Sequence, residues 1–149
     1  MKTLATLIFI CSLFVTGCVG KSVWRKTYVE MKSNMTDGIT VRVHCKSKQD
    51  DLGFHDITTM RSWSFSFIPS FLGNTLFFCS FSWPGQFRYF DIYDQNRDEM
   101  QCSTCIYKIS PNGPCLLDKM TGDFSKCSPW NPPSRMGRKP LTLMYDGEK

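Results

Sequence analysis

The sequence predicts an all-β domain, a small antiparallel sandwich or barrel, and three observations carry that prediction. Apolar and polar residues alternate with period two in several short runs, a pattern that suits one buried face of a strand and no face of a helix. Turn-forming residues separate these runs at intervals of about eight to twelve residues. No segment of about ten residues or more keeps a 3.6-residue period.

In chain order, a first strand is expected between Val23 and Met31. The next, Ile39 to Cys45, sets Ile39, Val41, Val43 and Cys45 on one side against Thr40, Arg42 and His44 on the other. The period returns at Trp63, Phe65 and Phe67, interleaved with Ser62, Ser64 and Ser66, and again at Phe90 and Ile92 between Tyr89, Asp91 and Tyr93. Thr75 to Phe81 is a nearly continuous apolar run around Cys79, as in a central strand covered on both faces. Thr104 to Ile109 alternates through Cys105, Tyr107 and Ile109. Between these runs lie Pro69-Ser70 with Gly73-Asn74, then Pro84-Gly85, Asn96-Arg97-Asp98 and Pro111-Asn112-Gly113-Pro114, all turn chemistry. Nine of the twelve phenylalanines fall between Phe54 and Phe90. With Trp63 and Trp83 they suffice for an aromatic core, which explains them more simply than a ligand site.

Both ends of the chain differ from this middle. Lys2, the apolar run Leu4 to Val15 and the small residues up to Gly20 follow the order of a secretory signal peptide, with cleavage expected near Lys21. As a helix that run reaches only about 18 Å, against a hydrocarbon core of roughly 30 Å. Val15-Thr16-Gly17-Cys18 also fits a bacterial lipoprotein signal with Cys18 acylated, a weaker match on small, common residues. After Leu117 the composition turns to proline, glycine and mixed charge, including Pro132-Pro133, which reads as an irregular extension tethered by Cys127 and Trp130. Within it, Gly137-Arg138-Lys139 is a possible processing string. The organisation expected is thus a signal peptide at 1–20, a β-domain at 21–117 and a Pro-rich extension at 118–149.

Without the leader, six cysteines remain, Cys45, Cys79, Cys102, Cys105, Cys115 and Cys127. An even number in an exported chain points to disulfides and away from a cytosolic enzyme. The formal charge of +5, lowered by one when Lys2 is removed, is too mild for a nucleic-acid-binding domain.

Few constellations suggest chemistry. Cys102-Ser103-Thr104-Cys105 has the spacing of zinc or redox CxxC motifs, but no second ligand pair accompanies it and it precedes a strand rather than opening a helix. The two cysteines are therefore expected to bridge to different partners. The segment His44-Cys45-Lys46-Ser47-Lys48-Gln49-Asp50-Asp51-Leu52-Gly53 joins a histidine to two carboxylates, yet consecutive Asp50 and Asp51 point apart in extended backbone. No calcium-loop spacing, G-x-S-x-G or H-E-x-x-H occurs. The segment reads as a solvated or hydrogen-bonded loop, with no catalytic, cofactor or metal site expected. Asn34-Met35-Thr36 is an N-glycosylation sequon between the first two predicted strands.

Taken in order, His44-Cys45-Lys46-Ser47-Lys48, Asp51-Leu52-Gly53, Trp63-Ser64-Phe65-Ser66-Phe67, Thr75-Leu76-Phe77-Phe78-Cys79, Phe90-Asp91-Ile92-Tyr93, Cys102-x-x-Cys105 and Gly113-Pro114-Cys115 resemble the plant self-incompatibility protein S1 family, or S-protein homologues. The resemblance runs from about Thr27 to Leu117. It implies a small secreted β-sandwich of immunoglobulin-like architecture, stapled by disulfides and without catalysis, some of whose relatives signal self-recognition to pollen. Tyr107 stands where the family usually has tryptophan, and the tail beyond Leu117 exceeds the usual family length. From the resemblance, and from the placement of Cys45, Cys79 and Cys105 in predicted strands with Cys115 just past a turn, the expected bridges are Cys45–Cys115 and Cys79–Cys105. Cys102 is then left for Cys127.

The function expected is that of a secreted, apoplastic ligand or binding module, monomeric, free of nucleic acid and not stably inserted in a membrane, that presents loops to a cell-surface receptor. The candidate surfaces are the Lys46 to His55 loop with Lys46, Lys48, Asp50 and Asp51, the Gln95 to Gln101 loop, and the tail. One alternative is a membrane-active defence effector using the mild positive charge with Tyr89 and Tyr93 exposed. The other is a secreted hydrolase relying on His44 or His55.

Overall fold

The computed structural model describes residues 25–132. The expected signal peptide with Cys18, and the Gly137-Arg138-Lys139 string, lie outside the described residues. Nine strands form two stacked sheets: β1 (Thr27–Ser33), β2 (Val41–Lys46), β3 (Asp51–Ile57), β4 (Ser62–Phe67), β5 (Leu76–Trp83), β6 (Gln86–Asp94), β7 (Thr104–Ser110), β8 (Gly113–Leu116) and β9 (Lys126–Cys127). A single helical turn, α1 (Gln95–Asp98), follows β6. One sheet has the order β4-β1-β7-β8-β9 and the other β3-β2-β5-β6.

Pairing is antiparallel except between β1 and β7, which run parallel with Val29 opposite Cys105 and Met31 opposite Tyr107. A parallel pair needs a long crossover, and here the whole second sheet lies between the two strands in sequence. The alternation read from the sequence builds the core directly. Val41, Val43 and Cys45 of β2 and Cys105 and Ile109 of β7 are fully buried, while Arg42 and His44 turn outward. A chain of rings closes the edge beside β4: Phe65 packs on Phe77 at 5.0 Å, and Phe67 on Phe77 at 4.5 Å and Tyr93 at 4.8 Å.

Four features depart from the sequence expectations. Tyr93 is fully buried rather than exposed. The register skips Ile92 between the Phe77–Tyr93 and Phe78–Asp91 pairs, and such a bulge reverses the side-chain phase so that Ile92 and Tyr93 both face inward. Strand β5 is covered on one face only: Phe77, Cys79 and Phe81 are buried, whereas Leu76 is exposed and Phe78 and Ser80 are half-buried on the outer side. Half of the Lys46 to His55 loop is strand β3, paired with β2. The expected boundary at Leu117 also moves, because β9 pairs with β8, and Trp130 packs on Phe81 at 5.2 Å and on Trp83 at 5.8 Å. The tail is bound to the sandwich as far as Asn131, whose amide donates to the Tyr89 carbonyl at 2.9 Å.

None of the three expected bridges forms. The disulfides are Cys45–Cys79, Cys102–Cys105 and Cys115–Cys127. Cys45 and Cys79 are directly opposite on neighbouring strands β2 and β5, as are Cys115 and Cys127 on β8 and β9. Cys115 lies opposite Lys108, between the inward-facing Pro114 and Leu116, so it points out of the sandwich and away from Cys45. The CxxC closes on itself because the turn after α1, with the Cys102 amide donating to the Asp98 carbonyl at 2.9 Å, brings Cys102 beside Cys105.

Candidate functional site

Strand directions decide which connections share an end of the sandwich. Thr27 pairs with Phe67, Tyr28 with Thr104, Leu76 with Asp94, and Lys46 with Phe78. The 46–51 hairpin, the 68–75 connection and the α1 segment therefore lie at one end. The β1–β2 connection carrying the sequon lies at the other. Asn34 is exposed there, its Nδ2 donating to Ser110 Oγ at 3.1 Å, beside an open groove of about 460 Å³ lined by Lys108, Ser110 and the 122–124 turn.

The hairpin is a built turn. Ser47 Oγ accepts from the Gln49 and Asp50 amides and donates to Asp50 Oδ2, which fixes the tip. Asp51 binds Lys46 Nζ at 2.9 Å, His44 Nε2 at 2.5 Å and the Gly53 amide at 3.0 Å. Lys46, then His44 and the Gly53 amide, hold the Asp51 carboxyl well below the usual carboxylate range. The four residues expected to form one recognition loop thus divide. Lys46 and Asp51 clasp the hairpin base, Asp50 caps its turn, and exposed Lys48 projects from the tip. Asp50 bonds to Ser47 while Asp51 bonds to Lys46 and His44, so the two carboxylates serve different partners.

The Gln95 to Gln101 loop is likewise organised around buried polar groups. Asp98, only 1 % exposed, accepts from Arg97 Nε and Nη2 at 2.7 Å each and from the Asp94 amide at 2.9 Å. Arg97 also lies over the Phe90 ring at 5.2 Å. Burial pulls the guanidinium pKa down, but Asp98 together with Tyr107 and Asp94 lifts it above its ordinary value. Tyr107 is buried against Phe90, and burial, then the Asp98 charge, pushes its phenol up.

Buried Gln95 ties this segment to the 68–75 connection. Its Nε2 donates to the Ser70 carbonyl at 2.9 Å, its Oε1 accepts from the Thr75 amide at 3.0 Å, and its own amide donates to the Thr75 carbonyl at 2.9 Å. At the tip of the connection Phe71 is 87 % and Leu72 81 % exposed. In the sequence this stretch carries turn chemistry, which by itself predicts no exposed apolar tip. The available signal was a Phe-Leu pair between Pro69-Ser70 and Gly73-Asn74, where a tight turn holds side chains off the core.

The residues considered for catalysis do not converge. His44 lies on the outer face of its sheet against Phe54, with ring centroids 4.2 Å apart. His55 lies on the inner face, donating to the Leu52 carbonyl at 2.8 Å and stacked on Trp63 at 4.0 Å. Among the described residues no group of three or more His, Cys, Asp or Glu is placed to hold a metal, and no helix is long and apolar enough to cross a membrane.

A disulfide-stapled two-sheet sandwich that gathers preorganised connections at one end defines a small β-domain whose distinctive surface is its loops. Residues 28–130 match the model of the plant self-incompatibility protein S1 family. S-protein homolog 5 of Arabidopsis thaliana is 44 % identical over 130 residues, covering 87 % of this chain and 98 % of the relative. S-protein homolog 3 of the same plant is 44 % identical over 107 residues, covering 69 % and 71 %, and S-protein homolog 29 is 32 % identical over 130 residues, covering 87 % and 96 %. The chain belongs to the plant self-incompatibility protein S1 family. The match runs to Trp130, so the stretch from Leu117 to that residue is part of the family domain and not an addition to it. No solved structure matches the chain.

Proposed function

We propose that this protein is a secreted, non-enzymatic signalling ligand or binding module of the apoplast that presents one end of its sandwich to a cell-surface receptor. The observation that carries the reading is the gathering of the Lys48 hairpin tip, the α1 segment and the 68–75 connection at one end, each held by its own hydrogen bonds. Loops held in place before contact lose little freedom on binding, and binding residues concentrate on exposed connections positioned by a rigid frame. The sequon at the opposite end supports the same reading, since a glycan on Asn34 would leave the loop end clear.

Labelled protein incubated with protoplasts of the plant that encodes it is expected to bind saturably. A bulky maleimide adduct at Asn112→Cys, in the turn at the sequon end, should leave that binding intact, while Lys48→Glu should weaken it without moving the melting temperature. Absence of saturable binding, or its loss through the Asn112 adduct, defeats the reading.

A further inference from the structure

We propose that Phe71 and Leu72 are the anchor by which this chain seats in an apolar pocket of a protein partner, an inference that rests on the ligand reading above. Two large apolar side chains at a loop tip are ordinarily free to fold back onto the domain, and these do not. The Gly73 amide donates to the Ser70 carbonyl at 3.1 Å, closing a turn with Phe71 and Leu72 at its crest, and Gly73 has the positive φ (+70°) that such a turn favours. The Leu72 amide donates to Ser70 Oγ at 3.2 Å and the Ser70 amide to Thr75 Oγ1 at 2.6 Å. From beneath, buried Gln95 holds both flanks of the turn, at Ser70 and at Thr75. The pair is therefore presented, at 87 % and 81 % exposure, by backbone that is already ordered. A preordered aromatic and aliphatic pair is the kind of feature that dominates binding when it enters a fully desolvated pocket.

The same geometry selects protein over lipid. Two side chains bury far less apolar surface than one myristoyl chain, which by itself holds a protein to a bilayer only marginally. Lipid-dipping tips compensate with cations that meet anionic headgroups. Here the clamping segment brings Asp94 and Glu99, while its cation, Arg97, is engaged by Asp98. On the clamping segment itself, acidic neighbours oppose an anionic membrane and complement a pocket whose rim carries lysine or arginine. Exposed Arg25, Lys26 and Lys48 at the same end are the cations that the phosphatidylserine vesicles below challenge. Met100, 96 % exposed, is a further apolar side chain at the same end of the sandwich.

The test compares the full secreted chain with a Phe71→Ala/Leu72→Ala variant and a Leu72→Glu variant. Probes are protoplasts before and after surface proteolysis, and vesicles of phosphatidylcholine with and without phosphatidylserine. Both variants should keep the melting temperature within a few degrees, since the side chains removed are exposed. Wild-type binding to protoplasts should be saturable and lost on proteolysis, and the double variant should bind at least about thirtyfold more weakly, as for central interface anchors. Neither vesicle should sediment the protein. Vesicle binding that requires Phe71 and Leu72 overturns the inference in favour of lipid. Undiminished binding of both variants to untreated protoplasts overturns it while leaving the receptor reading intact. If the wild type fails to bind protoplasts saturably, the receptor reading fails and the inference falls with it.

Discussion

Replacing Gly113 with alanine should destabilise the domain far more than the same change at Gly85, because Gly113 is where the tail docks on the sandwich. Gly113 has φ +141°, and a Cβ there would collide with the Ser128 carbonyl oxygen, with the Ser128 carbon at 3.1 Å and the Pro129 Cα at 3.4 Å behind it. All three are backbone atoms, so no rotamer change relieves the clash and the 128–130 segment must move. Backbone strain at such a φ costs about 1–3 kcal/mol. Moving the segment stretches the Ser128 amide bond to the Pro114 carbonyl (2.9 Å) and the Trp130 Nε1 bond to the Pro111 carbonyl (2.8 Å), each contributing about 1 kcal/mol. It also loosens Trp130 from Phe81 and Trp83, worth about 0.5–1.5 kcal/mol per aromatic pair. Even with partial relaxation the sum is about 3–5 kcal/mol, or a fall in melting temperature of roughly 12–20 °C at about 4 °C per kcal/mol. Gly85 has φ +72° with nothing within 4 Å of its Cβ position. Alanine there costs only the left-handed backbone penalty, about 1 kcal/mol. Urea titrations of both variants, followed by tryptophan fluorescence, give the comparison directly. Equal midpoints would mean that the 128–130 segment is not held against the sheet, and the packing account of the tail would be wrong.

Two other perturbations test the site and the staples. Asp51 titrates lower in the folded chain than in the unfolded one, so below about pH 4 the unfolded chain binds the extra proton and stability declines with acid. Asp51→Asn should make the fall in urea midpoint between about pH 5 and about pH 2.5 shallower than in the wild type, and an unchanged slope would show that the clasp makes no difference to folding. In the chain-entropy account of disulfides, removal of Cys45–Cys79, Cys115–Cys127 and Cys102–Cys105 as alanine pairs costs about 4, 3 and 2 kcal/mol, in the order of their sequence separations of 34, 12 and 3. Peptide mapping under non-reducing conditions should recover these three pairs, and finding Cys45 joined to Cys115 would contradict the register.

What the sequence determined by itself was local in origin. Period-two alternation is a property of a strand's own backbone, so the inward faces of Val41-Val43-Cys45 and Cys105-Tyr107-Ile109 were legible without knowing what they face. The order of the H-C-K-S-K, W-S-F-S-F and CxxC elements likewise sufficed for the family. Tertiary structure decided everything that depends on a partner distant in the chain. Disulfide connectivity followed register, which set Cys45 opposite Cys79 and turned Cys115 outward. The one-residue slip at Ile92 buried Tyr93, and nothing in the local pattern announces a bulge. The Lys46–Asp51 pair became a clasp because the hairpin folds its two ends together. Phe71 and Leu72 share a composition with core residues. They differ from them because the short turn from Ser70 to Gly73, clamped by Gln95 some 25 residues on, holds its crest away from the sandwich.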